Sequence, residues 1–186
     1  RLQEHVGEQR EAYVFATGPS LDSDFDHDIP EDALRVICNS IVRNDELLDY
    51  LEPDVLTFAD PVFHFGPSAY RAKFRSDAVK TLRSYACWCV VNTPGDALLR
   101  SRFPDVADRI IGIPDRSALS RFHTPTPSEL FVRATGNIMT LLMLPVAAAL
   151  ADEIRVVGAD GREENESYFW KHSSIAQYEG LMNSAV

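Results

Sequence analysis

The sequence predicts an α/β fold: a single Rossmann-like domain with a mostly parallel sheet and helices on both faces. Short apolar, β-rich runs alternate with segments of helical pattern along the 186 residues, the order that βα units produce. The runs "VFA", "VIC", "CVV" and "IRVV" are continuous rather than alternating, as strands covered on both faces must be. One core of ordinary size accommodates this length. No repeat, low-complexity tract or long linker divides residues 1–186, so they read as one α/β domain.

The elements follow in order. A first strand over 12–17 ends at Gly18-Pro19-Ser20, a turn that breaks the run. A second over 34–39 ends at Asn39 and passes into a helix over 40–51. The third, 55–59, stops before Asp60-Pro61, and a helix over 68–82 follows. The fourth strand spans 86–92 and ends at Asn92; a helix over 95–102 leads to the fifth, 109–113. A long helix over 127–151 contains the apolar run 138–151, with Ser128 as a cap. A sixth strand, 153–158, turns at Gly158-Ala159-Asp160-Gly161, and a weaker helical pattern covers 173–184.

Composition narrows the function. The formal net charge is -10 and the pI about 4.9, which excludes a broad basic surface for nucleic acid and leaves room for a local phosphate pocket. The three cysteines, Cys38, Cys87 and Cys89, are odd in number and fit reduced, buried thiols in a cytoplasmic protein. The run 138–151 is interrupted by Pro145 and is shorter than the ~20 residues of a spanning helix. A start at Arg1 without an apolar signal core reads as a domain trimmed from a longer chain.

In such folds ligands bind beyond the carboxyl ends of the strands. Gly18, Pro19 and Ser20 can bring backbone N–H groups and a hydroxyl close to an anion. They match neither G-x-x-x-x-G-K-[ST] nor G-x-G-x-x-G, and taken alone the same residues read as a turn. The acids Asp22, Asp24, Asp26 and Asp28 miss the calcium-loop pattern, because its sixth position is His27 and its twelfth Ala33. Asp60 and His64 either face one cleft and bind a hydroxylated substrate, or form an Asx-turn and a half-buried ring between Phe63 and Phe65. His123 sits in a proline-flanked loop. Thr135-Gly136 interrupts a helical pattern; glycine there costs ~1 kcal/mol, so a close approach is expected at Gly136. Asp160 either fixes its turn or accepts a ligand hydroxyl, and both roles are compatible. Tyr168, Lys171 and His172 supply a phenol, a cation and a base within five residues, while Phe169 and Trp170 could simply anchor the segment.

These pieces have an order. A strand ending in Gly-Pro-Ser-Leu, one ending in Cys-Asn, a Thr-Gly helix opening, a strand ending in Gly-x-Asp and Ser-Tyr followed by histidine together resemble the bacterial sialyltransferase family of the Campylobacter lipooligosaccharide type. The related motility-associated and pterin-diphosphokinase-like family shares much of the pattern. The resemblance spans about residues 13–172.

It implies a glycosyltransferase that moves a sialic-acid-like sugar from a CMP-sugar to a glycan or glycoconjugate, inverting, with neither metal nor further cofactor. Its partners would be the donor and the acceptor. Its place would be the cytoplasm, including the inner face of a membrane, with oligomerisation allowed. By the same resemblance Gly18 and Ser20, with Pro19 between them, line the nucleotide phosphate, Asn39 contacts the nucleotide, and Thr135 and Gly136 hold the nucleoside. Tyr168 stabilises the leaving phosphate and His172 deprotonates the acceptor. Thr17 stands where the family has asparagine, and Arg162 where it has a second tyrosine; an arginine can still neutralise phosphate. Three residues separate Tyr168 from His172, where the sialyltransferases place a long lid. The alternatives are Mg²⁺-dependent pyrophosphoryl transfer using Asp60 or Asp160, and a non-catalytic nucleotide-binding module.

Overall fold

The computed structural model describes residues 2–7, 9–22, 28–117, 124–160, 175, 176, 178, 180 and 181. Its strands are β1 (Gln9–Phe15), β2 (Leu34–Cys38), β3 (Val55–Thr57), β4 (Trp88–Asn92), β5 (Ile110–Ile113) and β6 (Ala151–Val157). They form one sheet in the order β5-β4-β3-β2-β1-β6, and every pairing is parallel. The helices are α1 (Leu2–Val6), α2 (Asp45–Leu51), α3 (Pro61–His64), α4 (Ala69–Ser84), α5 (Gly95–Arg102) and α6 (Leu144–Leu150).

The strand order explains where the helices lie. Successive steps from β1 to β5 move in one direction, so right-handed crossovers place α2, α4 and α5 on one face. Tyr13, Phe15, Ile37, Leu56, Cys89 and Val91 point to that face and pack with Leu47, Leu48, Phe74, Ala78 and Leu99. The return from β5 to β6 runs the other way, and the same handedness carries it across the opposite face. There Ala12, Val14, Val36, Cys38, Val55 and Val90 meet Leu142, Met143, Val146 and Ala147. Alternate residues of one strand thus enter separate cores, which is why the strands read as continuous apolar runs.

Several boundaries move. Residues 40–51 divide into a 3-10 turn, Asn39–Arg43, and α2, because the Asn44 side chain accepts from Leu47 N at 3.1 Å and starts a new helix. The helix expected over 127–151 begins only at Ile138, with a π turn over Met139–Met143 before α6. Phe131 and Val132 are instead buried and extended, with Val132 bridging Asp115 and the Arg116 guanidinium 5.0 Å over the Phe131 ring. Ala151 belongs to β6, not to that helix. Most of 173–184 lies outside the described residues. Ala176 and Tyr178 are buried against the α4 face, where Tyr178 Oη donates to Asp77 Oδ2 at 2.6 Å beside Lys73. All three cysteines are buried and free, and burial raises the Cys38 thiol to about 12, so none is an active nucleophile.

Candidate functional site

The sheet grows from β1 through β5 on one side and receives β6 on the other. The gap between β1 and β6 is therefore the topological switch point, beyond whose carboxyl ends a crevice forms in open α/β sheets. Two glycine turns meet there. Gly18 N donates to Gly158 O at 2.8 Å, Ala16 N to Val157 O at 2.8 Å, and Ser20 N to Asp160 Oδ2 at 2.9 Å. A Cβ on Gly18 would run into Asp160 Oδ2 and come within 2.5 Å of Gly158 O. Gly158 has φ +69°, and its Cβ would lie 2.6 Å from Ala16 O. Close approach thus requires glycine at both positions. Asp160 fixes the turn, and its carboxylate takes the N–H that the Gly-Pro-Ser sequence offered to a phosphate. Pro19 and Ser20 open a four-residue 3-10 turn, with Pro19 exposed and Ser20 half-buried.

Asn39 follows β2, the strand beside β1, and has φ 47°. Left-handed backbone is rare for residues other than glycine and best tolerated by Asn and Asp. Its half-buried side chain has no hydrogen bond among the described residues.

Asp60 and His64 part company. Exposed Asp60 accepts from Phe63 N at 3.0 Å and so makes the Asx-turn that starts α3. His64 is 4% exposed, with its ring centroid 4.4 Å from Phe74 and 5.3 Å from Phe58. Burial lowers its pKa to about 4 against the opposing pull of Asp60, and its Nδ1 has no partner among the described residues. The imidazole is thus a neutral core group, more deeply buried than the Phe63–Phe65 flank implies, and it does not line an open cleft beside Asp60.

Thr135 and Gly136 precede the long helix on the opposite face, whose amino terminus lies at the carboxyl edge of the strands. Thr135 Oγ1 donates to Asn137 O at 3.1 Å and lies 3.0 Å from Thr140 Oγ1, while Asn137 Oδ1 accepts from Met139 N at 2.8 Å. A Cβ on Gly136 would meet nothing within 4 Å. The close approach expected at Gly136 is therefore missing among the described residues, and none is needed, because the glycine stands before the helix rather than inside it. The residue overlooked in sequence is Asn137, a helix-starting asparagine ahead of an apolar run.

Arg162, Tyr168, Lys171 and His172 lie outside the described residues, as do His123, Asp24, Asp26 and His27. Flanking Arg162 to His172, Asp160 is fixed at the switch point, and Ile175 O accepts from Asn44 Nδ2 at 3.3 Å. Asp60 and Asp160 end β3 and β6, three strand spacings apart, or roughly 14 Å, so they do not share one metal ion. A separate cavity lies well away from this edge, between α2 and α4, lined by Asp45, Asp49, Lys80 and Tyr85.

Comparison with protein-family models, curated proteins and solved structures finds no match. The fold and the switch point define the class: a single α/β Rossmann-like domain with strand-end loops gathered at one edge. No described helix is long and apolar enough to cross a membrane.

Proposed function

We propose that the protein is a glycosyltransferase-like domain that moves an acidic, sialic-acid-like sugar from a CMP-sugar to a glycan or glycoconjugate acceptor, with inversion and without a metal. The observation that carries the reading is the meeting of the Gly18–Ser20 and Gly158–Asp160 turns at the switch point, one strand from left-handed Asn39. In this reading the donor phosphate lies by Gly18 and Ser20, Asn39 contacts the nucleotide, and Thr135 and Gly136 flank the nucleoside. The acceptor oxygen attacks the anomeric carbon, the bond to CMP breaks, and His172 takes the acceptor proton. Tyr168 and Arg162 stabilise the departing phosphate. The reaction belongs to surface-polysaccharide or glycoconjugate assembly in the cytoplasm, including the inner face of the membrane.

Calorimetry with CMP, with and without Mg²⁺, tests the donor. Saturable, metal-independent binding is expected, and strictly Mg²⁺-dependent binding of ATP in its place would overturn the reading in favour of pyrophosphoryl transfer. Asn39→Gly preserves the left-handed backbone, so it is expected to weaken CMP binding without lowering thermal stability. His172→Ala is expected to leave CMP affinity unchanged and to abolish most turnover of a CMP-sugar; equal loss of both removes the histidine from the base role.

A further inference from the structure

We propose that the outer edge of β6, with the apolar outer face of α6 beside it, docks a second copy of this chain, the two β6 strands pairing antiparallel about a twofold axis between their Ile154 residues. β6 is the last strand of the sheet, and among the described residues no strand pairs with its outer side. Over the seven residues Ala151–Val157, such an edge offers N–H and C=O groups to another strand. It carries no proline to block the pairing. Val156 is 42% exposed, beside half-buried Ile154. Lying opposite Val14 and Ala12 of β1, both point to the face that α6 covers, where α6 touches β6. Residues 138–151 contain no charged side chain. A helix apolar on every side is ordinarily covered on every side, yet Ala148 is exposed and Leu144 and Pro145 are only half-buried. The strand edge and the helix thus leave an apolar strip open along the outer margin of the sheet.

The charges of β6 identify the occupant. A twofold axis perpendicular to the sheet keeps each face on its own side, so directly opposed residues differ by an even number of positions. With Ile154 opposite its own copy, Glu153 lies opposite Arg155 of the second copy, and the same pair recurs across the axis. A slide of two residues one way opposes Arg155 to Arg155, and the other way Glu153 to Glu153. Opposite charges across a strand pair stabilise it and like charges destabilise it, so one register is selected. Glu153 is exposed and has no ion pair among the described residues. Glu11 accepts from Arg155 Nε and Nη2 at 3.2 and 3.3 Å and holds the guanidinium on this face, with the side chain still 56% exposed. Asp152 meets Val156 of the second copy only at the two ends of the paired stretch, in water. One patch supplies both members of every pair and so fits itself, as an isologous interface must. Antiparallel pairing sends the two β1–β6 carboxyl ends to opposite edges of the joined sheet. Each copy therefore keeps its own switch point, and the inference stands apart from the transferase reading.

The test is sedimentation equilibrium of the full chain up to about 1 mM, with the parent, Glu153→Lys and Arg155→Glu. A monomer–dimer equilibrium is expected for the parent, with amide hydrogen exchange of β6 slowing as its concentration rises. Each variant opposes like charges twice and is expected to weaken self-association at least about tenfold. Mixed in equal amounts, the two variants set cations on one strand against carboxylates on the other, and are expected to associate with each other more tightly than either does with itself. Both substitutions are at exposed side chains, so below the dimerisation range the variants are expected to melt with the parent. A parent that stays monomeric throughout, a dimer indifferent to both substitutions, or a mixture that associates no better than its components would overturn the docking surface. Amides of β6 equally slow to exchange in the dilute monomer would mean that the chain covers this edge itself, and would overturn it as well.

Discussion

Two strand-end regions treat their polar groups in opposite ways. At the β1–β6 edge, Gly18, Ser20, Gly158 and Asp160 are joined by backbone and carboxylate hydrogen bonds, and Asp160 stays exposed. After β3, the Asp60–Gly66 loop turns inward, and His64 packs with Phe58, Phe65 and Phe74. The first region keeps polar atoms where a ligand can compete for them. The second spends a titratable side chain on packing, and burial keeps it neutral. Residue type alone does not separate the two outcomes; His64 has the chemistry of a base but not its surroundings.

The largest expected effect breaks the glycine contact. Gly158→Ala combines a left-handed backbone with a Cβ 2.6 Å from Ala16 O and is expected to cost on the order of 3 kcal/mol. A urea midpoint equal to that of the parent would show the two turns to be looser than described. The histidine gives an effect of similar size through pH. The folded pKa, about 4, lies below the ordinary 6.5, so the unfolded chain binds the extra proton. Stability is fully present above pH 6.5 and declines as pH falls towards 4, by roughly 3 kcal/mol. Urea unfolding at pH 7 and pH 4.5 measures this decline, and His64→Phe is expected to flatten it.

Smaller effects sharpen the contrast. Asp160→Ala removes the acceptor of Ser20 N and is expected to cost about 1 kcal/mol at this exposed position. Asp160→Asn separates two roles by CMP calorimetry. Tighter binding means that the carboxylate competes with the donor phosphate, and weaker binding means that it accepts a ribose hydroxyl. Least of all, Arg155→Ala breaks an exposed pair with Glu11 beside the same edge and is expected to leave the melting temperature unchanged within error. A clear drop would mean that the β1–β6 pairing depends on surface charge rather than on its buried residues.

Much of the fold was legible. All six strands were readable from apolar runs, and the helix over Gly95–Arg102 matched to the residue. The long helix was read too early because "ELFVRATG" carries apolar spacing that fits a helix, while its Phe131 and Val132 are buried in extended chain by the bridge to Asp115. In the site, the glycine turns and Asn39 were legible because turns and strand ends have local chemistry. The depth of His64 was not, since it depends on Phe74, ten residues later on another helix.

The sequence by itself determined the alternation of strands and helices, their parallel arrangement and the glycine turns at the strand ends, because backbone preference and side-chain period act over a few residues. Only the tertiary structure decided that β6 joins β1 rather than β5, bringing Ser20 to Asp160 across 140 residues. Strand order is set by which sheet edge the last crossover can cover with right-handed connectivity and a filled core. That choice is made by non-local packing.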